Sequence, residues 1–110
     1  KNIQIKEMWA IINKKDDFNV IHTHPNCYLS SAYYVRAPKK CGKFLVENPN
    51  PAKRHFFPQI ATRTELNMPV TGLDVSEGDL LIFPGYLPHK VAKNLSGQDR
   101  IVISFNVGTN

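Results

Sequence analysis

Short apolar runs, rich in Val, Ile, Phe and Tyr, alternate with turn residues along the whole chain. Runs of this kind predict β-strands rather than helices. Eight prolines and six glycines lie mostly between the runs, where turns need them. The predicted strands are residues 6–13, 18–24, 29–36, 42–47, 72–75, 79–83, 90–93 and 100–107. This succession predicts an all-β domain, a sandwich or closed barrel of the jelly-roll kind.

The 110 residues suffice for a single domain with one modest core. The chain begins at Lys1 and its first residues already look like the inside of a fold, so we expect it to be the C-terminal part of a longer protein. Residues 48–68 contain three prolines and no sustained period, which predicts a long loop and a candidate substrate lid. Within it, Phe56, Phe57 and Arg63 could contact an acidic peptide, a nucleotide or a metabolite.

The chain is basic, with 14 Lys and Arg against nine Asp and Glu, a formal charge of +5 and a pI near 9.4. A polyanion or a small anionic substrate would suit this charge. The basic residues are scattered and no stacked-aromatic signature accompanies them, so direct nucleic-acid binding is not favoured. Two cysteines and no long apolar run predict free thiols in an intracellular, cytoplasmic protein without a membrane span.

Two histidines two residues apart, His22 and His24, follow the apolar pair Val20-Ile21. On a strand this spacing points both rings to the same face. A metal ion is one reason to place two imidazoles side by side, and a solvent-facing strand is the other interpretation.

A third histidine, His89, lies in the stretch EGDLLIFPGYLPHKV, just after the constrained loop between Pro84 and Pro88. Such a rigid presentation suits a third metal ligand, placed across a barrel mouth from the first two. Three neutral imidazoles can hold Fe(II), Zn or Cu and leave positions open for catalysis. Alone, His89 would be an ordinary turn histidine, and His55 has no such setting and is predicted to be structural.

The stretch RIVISFNV alternates strictly, with Arg100, Val102, Ser104 and Asn106 on one face and an Ile/Phe/Val series on the other. We expect the apolar face to pack against a second layer and the polar face to line a cavity. A guanidinium inside a cavity binds a carboxylate or phosphate bidentately, whereas an Arg at a strand entrance would reach water. On the neighbouring run LSSAYYVR, Tyr34 shares a face with small residues and could help Arg100 bind an acidic co-substrate.

Three stretches in this order, HTHPNCYLSSAYYV, GDLLIFPGYLPHKV and RIVISFNV, resemble the 2-oxoglutarate and Fe(II)-dependent oxygenases of the prolyl-hydroxylase-like superfamily. The similarity is greatest to a bacterial and phage subfamily of unassigned substrate, and it covers residues 9–107. The resemblance implies a double-stranded β-helix, cupin-like in architecture. It also implies Fe(II) and 2-oxoglutarate as cofactors, with 2-oxoglutarate decarboxylated while a substrate is hydroxylated.

Carried over by position, the resemblance makes His22, His24 and His89 the metal ligands. Arg100 takes the place of the basic residue that binds the distal carboxylate of 2-oxoglutarate, with Tyr34 beside it and Ser104 and Asn106 as weaker contacts. The sequence departs from the family at His24, where a carboxylate is usual, and this adds one unit of positive charge to the site. Ser31 stands where the subfamily usually has Gly.

Two other functions remain open at this stage. A cupin would also use a His-x-His pair and a distal His, but the glutamate expected shortly after the pair is absent and a cupin does not need Arg100. A non-catalytic jelly-roll binding module is the second alternative. We expect the substrate to be a small molecule or a peptide, and exposed strand edges in so short a chain are compatible with a homodimer.

Overall fold

The computed structural model describes residues 2–56, 59–64 and 68–110. These form eight strands and one short helix. In chain order they are β1 (Ile3–Asn13), β2 (Asn19–His22), β3 (Leu29–Arg36), β4 (Phe44–Glu47), α1 (Pro51–His55), β5 (Val70–Leu73), β6 (Leu80–Pro84), β7 (His89–Val91) and β8 (Arg100–Thr109).

The strands make two four-stranded antiparallel sheets, ordered β1-β8-β3-β6 and β2-β7-β4-β5. Successive strands alternate between the two sheets up to β4, so the chain winds as a double-stranded β-helix. The all-β jelly-roll prediction is therefore confirmed. The core lies between the sheets, where Phe44 of one meets Phe83 of the other with ring centroids 5.2 Å apart.

Every predicted strand is present, although several ends differ. β1 begins three residues before its predicted start, and β5 lies two residues earlier than predicted. The loop predicted at 48–68 contains α1, which the sequence analysis missed. The Asn50 side chain accepts a hydrogen bond from the Ala52 amide at 3.0 Å, and Pro51 occupies the first turn, so the helix has a capped start despite its five residues.

The two faces of β8 were predicted separately. The prediction that the polar face is buried is confirmed, and the prediction that the apolar face packs against a second layer is wrong. Arg100, Val102, Ser104 and Asn106 are all buried between the sheets. The Ile/Phe/Val series does not face a second layer of described residues. It lies on the outer side of the first sheet, half-buried, next to exposed apolar side chains such as Ile12 and Tyr33. The second sheet packs over the polar face instead, and Arg100, Val102 and Ser104 line the cavity between the two sheets.

Among the described residues, no helix is long and apolar enough to cross a membrane.

Candidate metal centre

His22 and His89 are brought together by the pairing of β2 with β7. They are cross-strand partners in the same sheet, with ring centroids 4.2 Å apart. This differs from the expectation that His89 would lie across the barrel mouth. The loop between Pro84 and Pro88 does deliver His89, but it places the residue as the first of β7, directly beside the end of β2.

His24 lies beyond the end of β2, so the expectation that both early histidines share one strand is wrong. The strand ends because the chain turns at Pro25 and Asn26, and Asn26 has a left-handed φ of 62°. The loop is held by the backbone of Gly85, whose carbonyl accepts from the His24 amide at 2.8 Å. The Gly85 amide in turn donates to the Tyr28 carbonyl at 3.1 Å. These two backbone hydrogen bonds hold the loop so that the His24 ring lies close to the rings of His22 and His89.

The three rings present ligand atoms that all lie within 4.8 Å of one another. The Nε2 atoms of His24 and His89 are 3.2 Å apart. Two nitrogens that bind one ion at about 2.0–2.1 Å are about 2.9–3.4 Å apart for bond angles between octahedral and tetrahedral. The observed separation therefore fits two neighbouring ligands of one metal ion.

Backbone carbonyls orient two of the rings. Nδ1 of His22 lies 2.6 Å from the Val20 carbonyl and Nδ1 of His89 lies 2.9 Å from the Leu87 carbonyl. A carbonyl only accepts, so Nδ1 donates in both rings and Nε2 of the neutral imidazole keeps its lone pair. This is the usual second hydrogen bond of a metal-binding histidine.

The electrostatics of the site also favour neutral imidazoles. Burial lowers the pKa of His89 to about 4, opposed in part by its hydrogen bond to Leu87 and assisted by the neighbouring histidines. Burial likewise lowers the pKa of His24, with His22 acting in the same direction. Both rings are then unprotonated near neutral pH, the form that binds a metal.

The triad opens into a cavity of about 360 Å³ between the two sheets. Its wall is mainly apolar and aromatic, with a few polar groups that converge on the interior. The lining residues are Trp9, Ile11, Asn13, Phe18, Asn19, Val20, His22, His24, Ser31, Ala32, Tyr34, Phe44, Phe83, His89, Val91, Arg100, Val102 and Ser104. An apolar cavity with few polar groups is typical of a small-molecule site.

Arg100 is fully buried and lines this cavity, as the sequence analysis predicted for the polar face of β8. Its Nε donates to Asn13 Oδ1 at 3.3 Å, and Nη1 donates to the carbonyls of Cys41 and Ala92. Nη2 is buried and has no partner among the described residues. A buried donor without an acceptor costs about 1–3 kcal/mol, so this nitrogen calls for an acceptor that the described chain does not supply.

Tyr34 is buried beside Arg100 and lines the same cavity. Burial raises the pKa of Tyr34 to about 12, although the positive charge of Arg100 acts in the opposite direction. Its hydroxyl therefore stays protonated and can donate. Ser104 lines the cavity as well, whereas Asn106 is buried outside the lining and bonds to Ser30 and Glu7.

The residues that support the site were missed by sequence analysis. Gly85 and Gly42 stand where a side chain would overlap backbone carbonyls, of Cys27 and of Ala92 respectively. Asn13 orients Arg100 from β1, and its only sequence signal is a polar residue at the end of a continuous apolar run. His55 lies in α1 beside Phe56, outside the triad.

Comparisons with known proteins agree with this geometry. A model of the family described as "Putative 2OG-Fe(II) oxygenase" matches residues 7–106. No significant match was found among curated proteins. Among solved structures, an oxidoreductase of the 2OG-Fe(II) oxygenase family from Burkholderia pseudomallei is similar with a TM-score of 0.74 and 15% identity, over 97% of this chain and 45% of that one.

HygX from Streptomyces hygroscopicus is also similar. With iron bound it gives a TM-score of 0.70 and 15% identity, over 98% of this chain and 59% of HygX. With nickel, 2-oxoglutarate and hygromycin B bound it gives 0.69 and 16%, over 98% and 57%. This chain thus spans about half the length of the structures it matches, and at these identities the likeness concerns the fold. With the family model covering nearly the whole chain, the protein belongs to the 2OG-Fe(II) oxygenase family.

Proposed function

We propose that this chain forms the catalytic core of a 2-oxoglutarate- and Fe(II)-dependent oxygenase that hydroxylates a small-molecule or peptide substrate. Membership of the family supports the activity, and the cavity supports the assignment of individual residues. His22, His24 and His89 would hold the iron, with Arg100, Tyr34 and Ser104 contacting 2-oxoglutarate.

The observation that carries the proposal is that Arg100, whose buried Nη2 has no partner among the described residues, lines the same cavity as the histidine triad. A dicarboxylic acid is long enough to bind a metal at one end and a guanidinium at the other. Its distal carboxylate would accept from Nη2, and the protonated hydroxyl of Tyr34 would add a neutral donor. A metal-binding jelly roll that takes no such co-substrate does not need a buried Arg whose Nη2 lacks a hydrogen-bond partner among the described residues.

Each group of the chain has a definite task in this reaction. Backbone carbonyls accept from Nδ1 of His22 and His89, so Nε2 of each ring presents its lone pair, and burial keeps His24 and His89 in the neutral form that binds a metal. The apolar wall, which includes Phe44 and Phe83, excludes water from the reacting centre. When bound, Fe(II) and 2-oxoglutarate supply the oxidising chemistry with dioxygen, and succinate and carbon dioxide are the co-products.

The test is anaerobic addition of Fe(II) and 2-oxoglutarate, followed by absorption spectroscopy for the charge-transfer band of the chelate and by an assay for succinate in air. We expect both signals in the wild type and their loss in His22→Ala, His24→Ala and His89→Ala. His55→Ala is the matched control, since His55 lies outside the triad, and should behave as the wild type.

The other outcomes separate the alternatives. Metal binding without the band or succinate would contradict the oxygenase and favour a cupin-type metal site. Unchanged metal content in all three variants would contradict the metal centre itself and favour a binding module.

Several finer assignments remain proposals. The solved structure of HygX contains hygromycin B, which supports a small-molecule substrate here. The loop 48–68 as a lid rests on its position after β4, and residues 57, 58 and 65–67, including Phe57, lie outside the described residues. A role for Asn106 in contacting the co-substrate, a homodimer, a cytoplasmic location and the absence of direct nucleic-acid binding also stay predictions.

A further inference from the structure

Glu7 is a carboxylate that the proposed function does not use, although it lies next to the metal centre. It is in β1, opposite Asn106 of β8, and a bulge between Ile5 and Glu7 interrupts the regular pairing at this point. Two residues further along the same strand, Trp9 stacks on the His24 ring with centroids 6.0 Å apart. Alternation along β1 therefore puts Glu7 and Trp9 on the side of the sheet that carries the triad.

Two buried side chains fix this exposed carboxylate through hydrogen bonds. Asn106 Nδ2 donates to Glu7 Oε2 at 3.0 Å, and Ser30 Oγ donates to Asn106 Oδ1 at 2.8 Å. Ser30 and Asn106 are 1% and 3% exposed, so their orientation is set by packing. Because Ser30 occupies the amide oxygen, the amide nitrogen is the atom that faces Glu7.

No Lys or Arg of the described part of the chain forms an ion pair with Glu7. Its charge instead acts on His24, and it raises the pKa of that ring against the larger effect of burial. His24, a proposed ligand, stands where the resemblance implies that a carboxylate is usual. The negative charge of Glu7 thus acts on the position where a negative ligand is missing.

We propose that Glu7, held by Asn106, supplies from outside the ligand set the negative charge that three neutral imidazoles do not provide, and so strengthens divalent-metal binding. The inference rests on the proposed function, since it assumes that the triad holds the metal. Groups just outside the ligands of a metal commonly contribute 10- to 100-fold to its affinity. For a side chain as exposed as Glu7 we expect the lower end, about 10-fold, and a decrease of the effect with added salt.

The protein contains its own reporter for the experiment. Trp9 is the single tryptophan and stacks on a proposed ligand, so its fluorescence should be quenched when Ni(II) or anaerobic Fe(II) binds. Titration with the metal alone gives a dissociation constant that does not depend on turnover. The titrations are run on the intact chain at low and at high ionic strength.

Three variants separate charge from positioning. Glu7→Gln keeps an acceptor for Asn106 and removes the charge, and it should weaken metal binding about 10-fold at low salt and less at high salt. Glu7→Asp restores the charge on a shorter side chain and should recover part of the affinity. Glu77→Gln removes the same charge from an exposed turn and is the matched control, expected to bind as the wild type.

The results distinguish this inference from the proposed function. If the wild type binds metal and Glu7→Gln binds it equally well, the role of Glu7 is refuted and the metal centre stands. A loss that is the same at both ionic strengths would also refute it, because a merely structural contact is not screened by salt. If the wild type binds no metal, the inference and the proposed function fail together.

Discussion

Replacing Gly85 by Ala should damage the metal centre without touching a ligand. A Cβ at this position would overlap the carbonyl oxygen of Cys27 and lie 2.9 Å from that of His24. Both contacts are to backbone, so the turn that carries His24 must shift. The shift also strains the bonds from the His24 amide to Gly85 and from Gly85 to Tyr28.

The magnitude follows from these contacts. Overpacking of this kind costs about 1–3 kcal/mol, and each weakened backbone hydrogen bond costs about 0.5–1.5 kcal/mol. We therefore expect the free energy of unfolding to fall by about 2–4 kcal/mol and Tm to fall by at least roughly 8 °C. Because His24 moves with the turn, the affinity for Ni(II) or Fe(II) should fall by about 10-fold or more.

Differential scanning calorimetry and the Trp9 fluorescence titration measure the two effects. Gly97→Ala is the matched control, since its Cβ would have open space around it among the described residues. A Gly85→Ala protein that melts within 1–2 °C of the wild type and binds metal with equal affinity would refute the close approach of this turn to Gly85.

Other predictions concern the guanidinium and its surroundings. Arg100→Lys loses the planar fork, so 2-oxoglutarate should bind about 10- to 100-fold more weakly by calorimetry while the metal alone binds as before; unchanged 2-oxoglutarate binding would contradict the role of Arg100. Gly42→Ala would place a Cβ 2.8 Å from Arg100 Nη1 and should weaken 2-oxoglutarate binding more than Gly78→Ala, which shares the positive φ but has open space. Burial raises the pKa of Tyr34 from its ordinary value of 10.0 to about 12 in the folded protein. The folded state therefore keeps its proton longer, and the free energy of unfolding should fall as the pH rises from 10 to 12. Ultraviolet titration should show a late tyrosine transition that is absent in Tyr34→Phe.

Much of the fold could be predicted because a strand can be recognised from the pattern of its own residues. Alternation along residues 100–107 predicted the buried polar face of β8, and short β-branched runs predicted all eight strands. Strand ends were harder, since they depend on pairing partners. β2 stops at His22, and the His24 amide bonds to the Gly85 carbonyl instead of continuing the strand, which no local pattern of residues 18–24 reveals.

The site could be predicted only as a set of residue types. The sequence indicated three imidazoles and a guanidinium as candidates, while a solvent-facing strand and an Arg at a strand entrance stayed open as the other interpretations. It did not indicate that His22 and His89 are cross-strand neighbours, nor that Asn13 and Gly42 shape the space around Arg100. Those are contacts between residues far apart in the chain.

The amino-acid sequence by itself determined the strands, the faces of those strands and the chemistry available to them, because side-chain direction in a strand alternates with a fixed period. Only the tertiary structure decided which groups meet. The pairing of β2 with β7 places His22 beside His89. A turn hydrogen-bonded to the backbone of Gly85 brings His24 to them, and the bulge in β1 places Glu7 opposite Asn106. Contacts of this kind depend on the register of paired strands and on the close approach of distant segments, which are properties of the folded chain as a whole.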